Sequence, residues 1–140
     1  MSRWDVSCWA LHLHTFIAAE RGDFQEALRR SDKEMNYRPC VADAYTERGA
    51  ILNNLHRPEE AMKAYRRARQ LAERFASNAA YRAPALRGIG FTQDELGNLQ
   101  AARAAIEVSF ELAPENELGL KELRHIKHLQ RRAGSGDETE

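Results

Sequence analysis

Three stretches of this 140-residue chain align without a gap, and that internal repetition limits the fold more than any single motif does. GDFQEALRRSDKEMNYRP (22–39), HRPEEAMKAYRRARQLAE (56–73) and GNLQAARAAIEVSFELAP (97–114) each place an alanine sixth: Ala27, Ala61 and Ala102. Sixteen residues before each alanine stands Leu11, Tyr45 or Leu86, and four further on stands Thr15, Gly49 or Gly90. Small residues recurring at matched places on two successive segments let two helices approach closely. The repeating unit therefore reads as a packed helix pair that buries its apolar face only by stacking on its neighbours.

Prolines and glycines set the helix limits. The spacing predicts helices over 3–21, ending at Gly22, and 23–37, ending before Pro39, whose ring disfavours helix in the residue before it. Further helices follow over 40–55, 58–80, 84–97, 99–113 and 115–132. Pro58 fits the first turn of the fourth, where a missing N–H costs nothing, and Glu59 and Glu60 follow it near the positive end of the helix dipole. No segment alternates apolar and polar residues between turn signals, so the chain reads as all-α.

The pattern resembles the tetratricopeptide repeat (TPR), a helix-turn-helix unit of 34 residues. The resemblance spans 8–114 and implies a right-handed superhelical solenoid of three repeats, about 8–41, 42–82 and 83–116, closed by a capping helix at 115–132. A single domain over 1–132 would then end in a disordered acidic tail, AGSGDETE at 133–140. Ala27 and Ala61 are 34 residues apart, whereas Ala61 and Ala102 are 41 apart. Seven residues are about two helical turns, so a lengthened fourth helix with its buried face in phase is expected. On the seventh helix Leu118, Leu123, Ile126 and Leu129 read as one stripe covering the last repeat, with Lys121, Arg124, Lys127 and Arg131 toward water. His14 and Arg48 stand where the family usually has Leu, and Glu34 stands where it has a small residue. A buried charge needs a partner, so Glu34 is expected to pair with Arg48.

Nothing in the sequence carries enzyme chemistry: GxSxG, HExxH, P-loop and GxGxxG motifs are missing, and no cofactor or metal is expected. His125 and His128 lie three residues apart, but no carboxylate or cysteine completes a metal set, so they read as solvated histidines. Cys8 and Cys40 are 32 apart and read as free thiols in a reducing, cytoplasmic setting. Asp5, His12 and His14 interrupt the apolar N-terminal run and argue against an export signal, and no run is long enough to span a membrane.

The resemblance implies a peptide-binding concave face lined by the first helix of each pair. Carried over by motif position, the groove residues are Trp9, His12, Leu13, Phe16, Ala19 and Glu20; Asp43, Thr46, Glu47, Ala50, Asn53 and Asn54; and Pro84, Arg87, Gly88, Phe91, Asp94 and Glu95. Trp9, Leu13, Phe16 and Phe91 are its large apolar members, Glu20, Asp43, Glu47, Asp94 and Glu95 its acids, and Arg87 its lone strong base. Some family members clamp a chaperone tail's carboxylate with Lys, Asn and Arg. The corresponding places hold His12, Phe16, Glu47, Pro84 and Gly88, so that clamp is missing. An acidic groove with aromatic anchors fits a basic, amphipathic peptide or helix. Two other readings remain: a homo-oligomer with the apolar first helix as its seam, and a nucleic-acid adaptor using Lys63, Arg66, Arg67, Arg69 and Arg74 with the basic seventh helix. Against the second, 21 Lys and Arg balance 21 Asp and Glu, and no aromatics interleave the basic clusters.

Overall fold

The computed structural model describes residues 3–37 and 42–134, the side chains of residues 3–9, 37 and 77 excepted. The Cys8 and Trp9 side chains, Cys40 and the acidic residues of the C-terminal tail lie outside the described residues. Among the described residues there are seven α-helices and no strand: α1 (Arg3–Glu20), α2 (Phe24–Tyr37), α3 (Ala42–Asn54), α4 (Pro58–Arg74), α5 (Arg82–Glu95), α6 (Leu99–Leu112) and α7 (Glu117–Gly134). α1 packs on α2, α3 on α4 and α5 on α6; the pairs then stack through α2 on α3, α4 on α5, and α6 on α7.

One turn geometry closes all three pairs. Gly22, His56 and Gly97 occupy the left-handed region at φ 76, 58 and 83°. The next residue's N–H bridges back five positions: Asp23 to the Ala18 carbonyl (3.0 Å), Arg57 to Leu52 (2.9 Å) and Asn98 to Gln93 (2.9 Å). These bonds satisfy carbonyls that a helix end otherwise leaves open. His56 takes the glycine place despite its Cβ.

The small residues do what their spacing requires. Ala27, Ala61 and Ala102 are wholly buried. Tyr65 of α4 lies between Gly49 of α3 and Gly88 of α5: a Cβ on either glycine would come within 2.7 or 2.2 Å of the ring. Burial pushes the Tyr65 hydroxyl up to about 12, against a hydrogen bond with Asn53 that lowers it. A Cβ at Gly90 would meet Ile106 at 2.5 Å. Ile106 and Ile126 are fully buried with Ala102, flanked by Phe91, Phe110 and Leu123. Each such isoleucine contributes roughly 1.5–3 kcal/mol from burial.

Two expectations are corrected. The longer second-to-third spacing does not extend the fourth helix toward residue 80. α4 stops at Arg74, Phe75 is extended (φ −118°, ψ 122°), and Ala76–Tyr81 form a 3-10 segment. That segment delivers Asn78, whose Oδ1 accepts the buried Ala42 N–H at 3.0 Å, so the insertion caps α3 from 36 residues away. On α7, Ile126 is buried and Leu123 packs on the core, but Leu118 is 63% exposed, so the apolar stripe is only partly covered.

Candidate functional site

α7 repeats the register of the first helices. Its buried Gly119 and Ile126 fall at the places of Ala44 and Ile51 on α3 and of Ala85 and Thr92 on α5, all four of them buried. α7 is therefore placed as the first helix of a pair, and α1, α3, α5 and α7 form one row. Glu122 and His125 then stand at the register places of Glu47 and Ala50 on α3, and of Gly88 and Phe91 on α5.

At the N-terminal end of the row, His12 of α1 donates from Nδ1 to Glu34 Oε1 at 2.8 Å and from Nε2 to Asp43 Oδ2 at 2.9 Å. Hydrogen bonds to Asp43 and then Glu34 hold its imidazole protonated up to about 10, against the opposing effect of burial. The Thr15 hydroxyl, shared with the Leu11 carbonyl (3.1 Å), lies 3.2 Å from Glu34 Oε2. Glu34 is thus nearly buried yet doubly held. The expected Glu34–Arg48 pair does not form. Glu34 sits on the side of α2 that meets α1, whereas Arg48 meets α2 at Ser31 (2.9 Å) and Asp32 (2.8 Å). Asp43 lies below the usual carboxylate range, chiefly through His12, and also bonds Tyr81. Burial pushes Glu47 up, with the His12 charge opposing and Asp43, Glu20 and Glu34 adding to the rise.

At the C-terminal end, Asp94 of α5 and Glu122 of α7 line the same open cavity, carboxyl beside carboxyl. Burial, then Asp94, then the Glu95 charge push Glu122 up to about 7. His125 Nε2 is 3.6 Å from Asp94 Oδ2. Asn53, Asn54, Phe91, Asp94, Glu95 and Glu122 line an open cavity of about 370 Å³.

The remaining groove residues divide. Leu13 (37%) and Phe16 (44%) are exposed, as is Glu20. Asn53 donates to the Thr92 hydroxyl at 2.9 Å and Asn54 to the Ala50 carbonyl at 2.9 Å. Phe91 lines the cavity but also leans on the Ala102–Ile106–Ile126 core, so it is half an anchor and half a core residue. Arg87 turns elsewhere, lining a separate cavity with Ala113, Pro114, Glu115 and Asn116. Gly88 lies beneath Tyr65. Tyr81 and Glu122 are not marked by the motif positions, and Glu34 and His125, though singled out in the sequence, take other partners than expected: His12 for Glu34 and Asp94 for His125. Counting the 34-residue register past Pro114 finds Glu122 and His125; nothing local to Tyr81 marks it.

No group of three or more His, Cys, Asp or Glu among the described residues is arranged to hold a metal, and no described helix is long and apolar enough to cross a membrane. On α4, Lys63, Arg66 and Arg67 are exposed; on α7, so are Lys121, Arg124, Arg131 and Arg132.

A family profile described as Tetratricopeptide repeat matches residues 40–115. No curated protein matches the sequence. Among solved structures, the first TPR domain of human RPAP3 is similar at 22% identity over 94% of this chain and 97% of that one, with a TM-score of 0.79. The first TPR of Spaghetti (RPAP3), bound to the HSP90 peptide SRMEEVD, is similar at 23% identity over 89% and 93%, with a TM-score of 0.78. The Sgt2 TPR domain from Aspergillus fumigatus reaches a TM-score of 0.82 at 16% identity, over 96% of this chain and 85% of that one. At these identities the likeness is one of fold: an all-α solenoid of TPR-type helix pairs.

Proposed function

The chain belongs to the tetratricopeptide repeat family, and from that premise we propose that it is a non-enzymatic interaction module whose α1–α3–α5–α7 face holds a basic, amphipathic peptide or helix. The observation that carries this reading is the charge of that face. Glu20, Asp43 and Glu47 cluster around His12, and Asp94, Glu95 and Glu122 gather around one cavity, while Arg87 turns away. Such a surface attracts Lys and Arg side chains and repels acidic tails.

The exposed Leu13 and Phe16 offer apolar contact at one end and the edge of Phe91 at the other. The peptide held by the Spaghetti structure, SRMEEVD, is acidic. The matching clamp places here carry His12, already bonded to two carboxylates, with Phe16, Glu47, Pro84 and Gly88, so an acidic tail finds no free cation among them. A basic segment suits the same face.

The test is a fluorescence-anisotropy titration with an amphipathic peptide carrying Lys and Arg, set beside an acidic EEVD-ending peptide. The basic peptide binds, the acidic one does not, and Glu47→Lys with Asp94→Lys weakens binding at least about tenfold. Equal affinity of the double variant and the unchanged chain would remove the groove assignment. Affinity also falls with added salt, since these carboxylates are partly solvated.

A further inference from the structure

Among the described residues, partly buried arginines face acids, with one exception. Arg30 lies 2.9 Å from Glu26, Arg48 2.8 Å from Asp32, Arg69 3.9 Å from Glu73 and Arg103 2.8 Å from Glu107. Arg87 of α5 is partly buried as well, yet no described carboxylate comes within ion-pair reach of it. Burial draws its guanidinium down, and only Tyr65 acts against that. A cation taken halfway out of water without a counter-charge is costly, and a ligand that supplies the charge removes the cost.

Arg87 lines an open cavity of about 530 Å³ with Ala113, Pro114, Glu115 and Asn116, where α6 gives way to α7. A second unanswered donor belongs to the same lining. Asn116 caps α7: its Oδ1 accepts the Gly119 N–H at 3.2 Å, which fixes which end of the amide is oxygen. Its Nδ2 is buried and has no hydrogen-bond partner. The 18-residue α7 also begins here, with the positive end of its dipole. Glu115 stands on the same cavity, but it is exposed and makes no ion pair with Arg87.

We propose that Arg87 and Asn116 form a site for one carboxylate, brought by a protein partner as an Asp or Glu side chain or as a chain end. The donor set selects that ion. A guanidinium fork holds both oxygens of a planar carboxylate, and one amide N–H adds a third bond. Phosphate brings further charge that a single arginine does not answer and that Glu115 repels. A run of acids such as EEVD is disfavoured too, because Glu47, Asp94, Glu95 and Glu122 stand along the same row of helices. The cavity is separate from the two acidic clusters, so the assignment does not rest on the basic-peptide reading.

Side-chain NMR of the full chain tests the site through the Arg87 Nε–H and Asn116 Nδ2–H signals. The probes are acetyl-Glu-amide, whose carboxylate is on the side chain, and acetyl-Leu, whose carboxylate is the chain end, beside sodium phosphate and sodium chloride at matched ionic strength. Both signals shift saturably with at least one carboxylate, and the tighter of the two identifies the source. Arg87→Gln, followed at Asn116, and Asn116→Asp, followed at Arg87, each weaken binding at least about tenfold. Asn116→Asp keeps an oxygen on the Gly119 N–H, so the far-UV spectrum is unaltered. The proposal is overturned if neither carboxylate moves the two signals more than chloride does, or if phosphate binds more tightly than both. It is equally overturned if Arg87→Gln titrates like the unchanged chain, because the anion would then sit on another basic surface.

Discussion

Both ends of the row of first helices carry clustered carboxylates and dispose of them differently. At the N-terminal end a cation is built in: His12 donates to Glu34 and Asp43 at 2.8 and 2.9 Å and stays protonated up to about 10. At the C-terminal end burial and the neighbouring Asp94 carboxyl push Glu122 up to about 7, and His125 stands off at 3.6 Å from Asp94. An internal cation makes the first cluster part of the framework, binding α1, α2 and α3 together. A proton that leaves near neutrality makes the second cluster a place where a ligand's cation can enter. Acidity is open to a partner to the extent that the chain leaves it unanswered, more so at the C-terminal end than around His12, where Glu34 and Asp43 are already bonded.

The largest effect is expected where the two ends join. Tyr65 fills the space between Gly49 on α3 and Gly88 on α5, so Gly88→Ala drives a methyl group into the ring from 2.2 Å. Overpacking of that kind destabilises by about 2–3 kcal/mol, read as a lowered midpoint in urea or heat. Tyr65→Leu added to Gly88→Ala recovers part of the loss. If Gly88→Ala melts like the unchanged chain, the joint has slack and the two ends are less rigidly linked than the ring suggests.

Next comes the built-in cation. His12→Gln leaves the nearly buried Glu34 without its cation and costs about 2 kcal/mol, less than a fully buried pair because Asp43 is partly solvated. The sign of the pH effect follows from the raised imidazole: its contribution is complete below about 6.5 and is lost as pH rises through about 10. Melting temperature of the unchanged chain should fall from pH 7 to 10, and His12→Gln should flatten that fall. An equally steep fall in the variant assigns it to other groups.

Glu122→Gln is the counterpart at the other end and smaller. A carboxyl raised to about 7 contributes fully below its ordinary value near 4.5, and the contribution is lost as pH rises through 7. Because Glu122 is partly solvated, the change is discounted to on the order of 1 kcal/mol. Thermal melts at pH 5 and 8 read it: the unchanged chain loses stability between them, and the variant keeps more of it. If both lose the same amount, the fall belongs to other groups and not to the raised Glu122 carboxyl.

Much of the framework was legible in the sequence because it rests on small residues at fixed spacing. Ala27, Ala61 and Ala102, with Gly49 and Gly90, mark close helix approach, and close approach tolerates few substitutes. The seven-residue excess was legible only as a count. Length in phase with a helix cannot tell continuation from a break, and the break depends on Asn78 finding Ala42 across 36 residues. The candidate site was half legible. Motif positions bring His12, Asp43 and Glu47 into one cluster and Asp94 and Glu95 into another, but the partners Glu34 and Tyr81 come from elements outside the motif's inner face. Arg48 shows the limit of arguing from charge alone: an opposite charge was required for Glu34, and a histidine one turn from Thr15 supplied it while Arg48 found Asp32 instead.

The smallest effect tests a feature on which both ends agree. The turns at Gly22, His56 and Gly97 share a left-handed residue and the same five-back hydrogen bond, one in each helix pair. A residue with a Cβ pays about 1–2 kcal/mol in that conformation, while glycine frees the unfolded chain by about 0.4–1 kcal/mol. His56→Gly should therefore stabilise by about 0.5 kcal/mol net, a rise of a degree or two in melting temperature. The reverse changes, Gly22→Ala and Gly97→Ala, have open space around the new Cβ and so report the backbone alone. Each should cost about 1 kcal/mol. If His56→Gly instead destabilises, the imidazole makes a contact that outweighs its backbone, and the middle turn is then held differently from the two that flank it.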